Sequence, residues 1–432
     1  MEIKKHRVLV FPAGTEIALE IHNALKDCKE FELIGATSVD CHADMVFKNC
    51  VNNMPFVDDD GFIDALNNVI DICGIEYVYP AHDSVLLTLT QNRWKINAEV
   101  VTSSRTTVEV CRNKNLTYDR LSVFGADFLP KVYKSADEVD EYPVFAKPAV
   151  GQGSEGVRMI YDTCEFIEVQ NDEREYTICE YLPGKEYTVD CFTNREGNLL
   201  YARQRTRDRI RSGIAVRSHF VPISDEVYGM AKFINKHLSF NGAWFFQIKE
   251  AADHSLKLME IAPRIAGTMG LSRNIGVNLP ALTLYNMMGL DVEVFNNWNS
   301  ILLDRAFISR YKTDIEYDRV YVDFDDTLIV NGKVNPYLIA FLYQAKGKGK
   351  KVYLLTKHKG NIFEDMRKYY LDISFFDGVI SLGLDEEKSY YIPDNNSIFI
   401  DDSYVQRKKV HDECGIPVFE PCMVESLFDW SA

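Results

Sequence analysis

Short apolar runs alternate with stretches of helical period at the start of the chain. RVLVF (7–11) and residues 31–37, 77–80 and 98–102 predict strands, and IALEIHNALKD and residues 62–73 predict helices. A short apolar run bounded by turn residues marks a strand buried on both faces. Strand–helix alternation with short loops therefore predicts parallel βαβ units in a doubly wound sheet. The first turn, PAGTE, lacks the G-x-G-x-x-G spacing of a dinucleotide site.

Past residue 103 the pattern changes. A helix carrying Cys111, Arg112 and Lys114 is predicted first, then apolar runs at 128–132 and 143–147 and a strand at 176–180. A strand at 199–203 leads into an arginine-dense loop, and residues 224–238 predict a helix. Residues 243–250 and 256–260 predict a hairpin across AADHS, followed by a helix at 279–289 and a connector at 296–318. At Val320 a new apolar run opens a second βα region.

At 432 residues there is room for about two to four domains. The net charge of −16 argues against a general binder of nucleic acid or of anionic membranes. Ten cysteines lie scattered without a C-x-x-C pair, which fits reduced thiols of a cytoplasmic protein better than a disulfide framework or a zinc site. None has a base at readable spacing, so they read as structural. MEIKKHRVLVFPAG reads as a first buried strand rather than a signal segment, and no stretch approaches the roughly 20 apolar residues of a membrane span.

The chemistry begins at FAKPAVGQGSEGVRM. Lys147 ends an apolar run, and a loop with Gly151, Gly153, Ser154 and Gly156 follows before the chain returns to an apolar run. Glycines let a hairpin close its backbone N–H groups on phosphate oxygens, with the lysine ammonium beside them. Glu180 and Glu186 flank a Pro-Gly turn in EYLPGKE, where backbone groups suit an adenine edge and a carboxylate suits ribose hydroxyls. Gln247 and Glu260 sit on two tightly joined strands, so they can face one point as oxygen ligands for Mg²⁺. Arg264 follows to meet developing negative charge, and Arg203, Arg205, Arg207, Arg209, Arg211 and Arg217 supply a cationic rim.

On Lys114, AKPAVGQGSEGV, EYLPGKEYTVD, and FFQIKE followed by LMEIAPRIAGT, residues 1 to 295 resemble the ATP-grasp superfamily, nearest its carbamoyl-phosphate-synthase-like branch. The resemblance implies a pre-ATP-grasp α/β domain (1–102) and an α+β ATP-grasp domain (103–300). It implies Lys114 and Lys147 at the phosphates, Glu180 and Leu182 at the adenine hinge and Glu186 at the ribose. Gln247 and Glu260 would be the magnesium ligands, with Arg264 at the transferred phosphoryl. Ala262 stands where the family's E-x-N-x-R motif has asparagine.

A second constellation starts at VYVDFDDTLIV. Asp323 and Asp325 follow a buried strand, where parallel sheets place their sites. One carboxylate can attack phosphorus while the other protonates the leaving group and then activates water. Thr356 ends a later strand, Lys388 follows, and Asp401-Asp402 ends another strand. Asp323, the Asp325 backbone carbonyl and Asp401 or Asp402 suit a magnesium ion, with Lys388 neutralising nucleophile and phosphate.

Residues 315–432 thereby resemble the haloacid dehalogenase-like phosphatases, with Asp323, Asp325, Thr356, Lys388, Asp401 and Asp402 on the four motifs. The 28 residues between Thr327 and Thr356, and the 31 between Thr356 and Lys388, leave no room for a cap domain, so the resemblance implies a capless Rossmannoid domain. His82 sits at a strand end, where it could touch substrate, but a loop histidine is the commoner explanation; His358, just after Thr356, could line the mouth of the phosphatase site, though an ordinary loop position is the commoner explanation there too.

The expectation is a multi-domain α/β and α+β cytoplasmic enzyme using ATP and Mg²⁺. One half is a carboxylate–amine ligase acting through an acyl phosphate, the other a phosphatase acting through an aspartyl-phosphate. Its partners are a small carboxylate and an amine, one of them phosphorylated, with homo-oligomerisation left open. Because of Ala262, the rival expectation is a nucleotide-binding sensor or scaffold attached to an active phosphatase.

Overall fold

A computed structural model of the chain describes residues 5–151, 153, 155–295, 297, 300–393 and 395–431. They divide into two units, Met1–Phe307 and Ile308–Ala432. Among the described residues no helix is long and apolar enough to cross a membrane.

In the first unit, His6–Phe11 is the central strand of a five-stranded sheet. It pairs in parallel with Phe31–Ala36 on one side and Tyr77–Pro80 on the other, and Asn49–Val51 and Glu99–Val100 close the two edges. The chain runs outward first to one edge and then to the other. The strand order thus reverses at the C-terminal ends of His6–Phe11 and Tyr77–Pro80, where such sheets open a crevice. Glu16–Leu25 and Asp83–Gln91 begin beside that crevice, capped by Thr15 and His82.

Among the described residues three antiparallel sheets complete the unit. Val144–Pro148 is flanked by Arg158–Ile160 and Tyr176–Glu180. A four-stranded sheet runs Leu199–Thr206, Glu186–Thr193, Gly242–Glu250, Leu256–Ala262. The third joins Arg209–Arg211, Ile214–His219 and Leu302–Asp304. One face of the four-stranded sheet packs Trp244, Phe246 and Ile248 against Asp225–His237. Its other face shares a core with the parallel sheet, in which Val8 and Val10 join Phe192, Phe245 and Leu284.

Several expectations need correction. The helix expected through Cys111 and Lys114 is two helices, Arg105–Arg112 and Lys114–Ser122. Asn113 between them is extended, and its side chain accepts from the Asn115 and Leu116 N–H groups, so cap chemistry outweighs helical continuity. The arginine-dense stretch is a hairpin, and the expected connector contains the strand that pairs with it.

The second unit is a parallel sheet in the order Gly378–Ser381, Lys351–Thr356, Arg319–Val322, Ser397–Ile400, Val418–Phe419. Val320, Val322, Leu354, Ile398 and Ile400 form its core with Leu338, Phe341 and Leu342 of Pro336–Gly347. The Thr327–Thr356 gap holds a two-stranded hairpin, that helix and a sheet strand. The Thr356–Lys388 gap holds Ile362–Lys368 and an edge strand.

Candidate functional site

The crevice of the first unit opens into two adjoining cavities of about 290 and 210 Å³. Lys114, Gly151, Gly153, Arg207, Gly213, Gln247 and Glu260 line both. Strand register explains the centre: Gln247 lies directly opposite Glu260 on antiparallel neighbours, so their side chains share a face. Lys147 is 5% exposed on the middle strand of its sheet, and its Nζ donates to Met259 Sδ at 3.2 Å, next to Glu260. Lys114 stands at the helix start set by Asn113, and its Nζ donates to the Pro148 carbonyl at 3.1 Å. Burial pushes the Lys114 ammonium below the usual lysine range; Glu260 opposes this and Lys147 reinforces it.

The glycine loop is held from two sides. Gly153 and Gly156 have φ of 61° and 72°, which glycine adopts without strain. Gly213 packs against the Gly153 backbone so closely that a Cβ there would overlap it. From the other side Arg112 donates to the Gly151 carbonyl at 3.3 Å and to Ser84 Oγ at 3.2 Å. Ser154 lies outside the described residues.

Glu186 lines the smaller cavity, with Arg207 Nε 2.7 Å from its Oε1. Glu180 and Leu182 line neither cavity. The Glu180 carboxylate accepts from the Lys131 N–H at 2.8 Å, and Leu182 is buried.

Arg264 lines the larger cavity, but its guanidinium is braced. Nε and Nη2 donate to the two Asp83 oxygens at 2.7 and 2.6 Å, and Nη1 donates to the Ile265 carbonyl at 3.0 Å. Burial alone would raise the Asp83 carboxyl, but the charge and hydrogen bonds of Arg264, with Arg112 and His82 adding to them, hold the group below the ordinary value. His82, next to Asp83, also lines this cavity.

The expected arginine rim breaks up. Among its members Arg205 and Arg207 line the larger cavity. Arg205 makes a buried two-point pair with Asp190, at 2.9 and 3.0 Å. Arg209 and Arg217 pair with Asp304, while Arg203 and Arg211 lie over the rings of Phe220 and Phe307. Arg112, Arg264 and Arg305, from other segments, supply the remaining guanidinium groups around the cavity.

The second unit gathers its charged residues at the C-terminal ends of three central strands. Asp323 and Asp401 follow Arg319–Val322 and Ser397–Ile400, and Thr356 ends Lys351–Thr356. Lys388 Nζ bridges Asp323 Oδ1 at 2.5 Å and Asp401 Oδ2 at 2.6 Å, with all three residues at most 5% exposed. Burial, with Asp401 adding to it, pushes the Asp323 carboxyl up to about 6 against the pull of Lys388. Thr356 Oγ1 is buried near Asp323 but makes no well-formed hydrogen bond.

Asp323, Asp401 and Asp402 offer oxygens within 4.8 Å of one another. Three carboxylates offset by one lysine suit a hard divalent cation, and the orphaned threonine hydroxyl suits a phosphate oxygen. The Asp325 side chain does not join that group. It turns to His358, whose Nδ1 lies 2.8 Å from Asp325 Oδ2 while Nε2 lies 2.8 Å from Asp365 Oδ2. Burial would lower the His358 imidazole, but the two carboxylates raise it above the ordinary histidine value.

Residues 172–304 match the model of a family described as "ATP-grasp in the biosynthetic pathway with Ter operon". No curated protein matches the chain. Among solved structures it is similar to N5-carboxyaminoimidazole synthetase from Staphylococcus aureus complexed with ADP, with a TM-score of 0.57 at 14% identity over 70% of this chain and 82% of that one. It is also similar to biotin carboxylase from Campylobacter jejuni in complex with βγ-ATP, at 0.54 and 13% over 66% and 71%. The L-amino acid ligase from Bacillus licheniformis gives 0.50 and 18% over 66% and 74%. The chain thus contains a domain of ATP-grasp fold.

Proposed function

We propose that the chain is a bifunctional enzyme, an ATP-dependent carboxylate–amine ligase joined to a phosphomonoesterase. The observation that carries the first half is the pairing of Gln247 with Glu260 beside Lys114 and Lys147. Two oxygen ligands and two ammonium groups around one cavity suit a magnesium-bound nucleotide triphosphate. The similar synthetase and carboxylase, complexed with ADP and with βγ-ATP, support the same reading.

In this reading Lys114, Lys147 and the N–H groups around Gly151, Gly153, Ser154 and Gly156 hold the phosphates. Glu180, Leu182 and Glu186 receive the adenosine. Arg264, fixed by Asp83, faces the phosphoryl group as it passes to the substrate carboxylate. An amine then attacks the acyl phosphate and phosphate departs. Preorganised charge does most of this work, because phosphoryl transfer asks little covalent help of the protein.

The second half is carried by the Lys388 bridge between Asp323 and Asp401. Asp323 is the nucleophile, Asp325 the acid and then the base. Thr356 and Lys388 hold phosphate oxygens, in a capless domain of the haloacid dehalogenase-like kind over residues 315–432. Asp323, Asp401 and Asp402 would hold one magnesium ion, and Gln247 with Glu260 another; in either unit the ion neutralises charge on phosphoryl oxygens. An attractive arrangement is that the ligase couples a phosphorylated building block from which the second unit removes the phosphate.

ADP release screened against pools of carboxylates and amines tests the ligase, and Asp323→Asn in a phosphate-release assay tests the phosphatase. One observation favours a second reading. Ala262 is buried in the apolar core and offers no ligand. A nucleotide sensor would bind ATP and release no ADP with any pool.

A further inference from the structure

We propose that His358, braced by Asp365, is a positioning residue that aims the Asp325 carboxyl at the departing oxygen of a phosphomonoester. The proposal rests on the phosphatase reading of the second unit.

Asp325 is exposed, with 53% of its side chain open to solvent. Left alone, such a carboxyl turns freely about its side-chain bonds and spends little time facing a substrate oxygen. His358 removes that freedom. Its Nδ1 lies 2.8 and 3.1 Å from the two Asp325 oxygens, so the ring engages the whole carboxyl group. The ring itself is held by two further contacts: Nε2 meets Asp365 at 2.8 Å, and the ring lies near-perpendicular to that of buried Phe324, with centroids 5.2 Å apart.

Asp365 is anchored in turn on Ile362–Lys368, whose first turn is capped by Asn361. Gly360, at φ 120°, lets the chain turn between His358 and Asp365 in a conformation that other residues rarely adopt. The stretch from His358 to Asp365 therefore fixes the orientation of a carboxyl 33 residues earlier in the chain. Neither His358 nor Asp365 contacts Asp323, Asp401 or Lys388 through a hydrogen bond among the described residues.

The chemistry needs that orientation twice. First an Asp323 oxygen attacks phosphorus, the bond from phosphorus to the leaving oxygen breaks, and the Asp325 proton passes to that oxygen. The new Asp325 carboxylate then faces the His358 ring. Next Asp325 takes a proton from water as the water oxygen attacks phosphorus, the bond from phosphorus to Asp323 breaks, and inorganic phosphate leaves.

The test compares two phosphomonoesters on the full chain with magnesium. The p-nitrophenolate group of p-nitrophenyl phosphate departs with little help from an acid, whereas the alkoxide of glycerol 2-phosphate needs the proton. His358→Gln and Asp365→Asn should lower kcat on glycerol 2-phosphate by about 10²-fold and about 10-fold, and kcat on p-nitrophenyl phosphate by roughly threefold or less. KM and inhibition by inorganic phosphate should stay unchanged, since neither residue holds the phosphoryl group. Equal losses on both substrates in both variants, no loss, or a gain would overturn the proposal alone. Turnover that is absent from the unaltered chain, or indifferent to Asp323→Asn, overturns the phosphatase reading and the proposal with it.

Discussion

Arg264 and Asp83 lie 181 residues apart and meet through two hydrogen bonds of 2.7 and 2.6 Å. The pair ties the loop after Leu256–Ala262 to the start of Asp83–Gln91, both at the larger cavity. A residue suited to a transferring phosphoryl group is thus oriented by a carboxylate from the parallel-sheet region.

Asp83→Asn should therefore act on stability and activity together. Leaving the guanidinium with a neutral partner should cost about 3 kcal/mol in urea unfolding and most of the ligase turnover. The pH dependence has a definite sign. The folded-state value of Asp83 is depressed, so its contribution is fully present above the unfolded value of about 3.9 and is lost as pH falls through the lower folded value. Unfolding curves of the unaltered chain should steepen in that acid range, and those of Asp83→Asn should be flatter there.

Glu260 is the carboxylate of the Gln247–Glu260 pair. Glu260→Gln should weaken magnesium–ATP binding by about tenfold or more while leaving metal-free ATP binding almost unchanged, as read by calorimetric titration. Equal weakening with and without magnesium would remove Glu260 from metal binding.

Gly213 combines a φ of 75° with contact to the Gly153 backbone. Gly213→Ala should push the hairpin off the glycine loop at a cost of about 1–2 kcal/mol. Nucleotide affinity should fall with it, measurable in the same titration.

Much of this arrangement was readable in advance because strand ends and strand pairing constrain side chains strongly. A tight hairpin makes Gln247 and Glu260 neighbours, and successive parallel strands bring Asp323, Thr356 and Asp401 to one edge. Other features depended on partners far along the chain. Glu186–Thr193 carries Thr188 and Asp190 among its apolar positions, which breaks the pattern of a buried strand, yet both are buried and Asp190 pairs with Arg205. The break at Asn113 turns on a cap rather than on periodicity. Nothing local to His358 announces Asp325, 33 residues away, and nothing in PAHDS announces Arg264. The only usable signal at these places was a histidine or aspartate at a strand end.

Lys388 offsets the buried charges of Asp323 and Asp401. Lys388→Ala should lower the thermal midpoint of the second unit in the absence of magnesium, by an amount equivalent to about 3 kcal/mol. Added magnesium should restore part of the loss by binding the three aspartates. Restoration by sodium chloride at equal ionic strength would point to general screening instead.

The most direct test of the two-site account is magnesium-dependent hydrolysis of p-nitrophenyl phosphate by the full chain, by Asp323→Asn and by Glu260→Gln in parallel. The account predicts turnover by the unaltered chain, no turnover by Asp323→Asn, and unchanged turnover by Glu260→Gln, which no longer binds magnesium–ATP tightly. Hydrolysis that survives Asp323→Asn, or that disappears with Glu260→Gln, would contradict it.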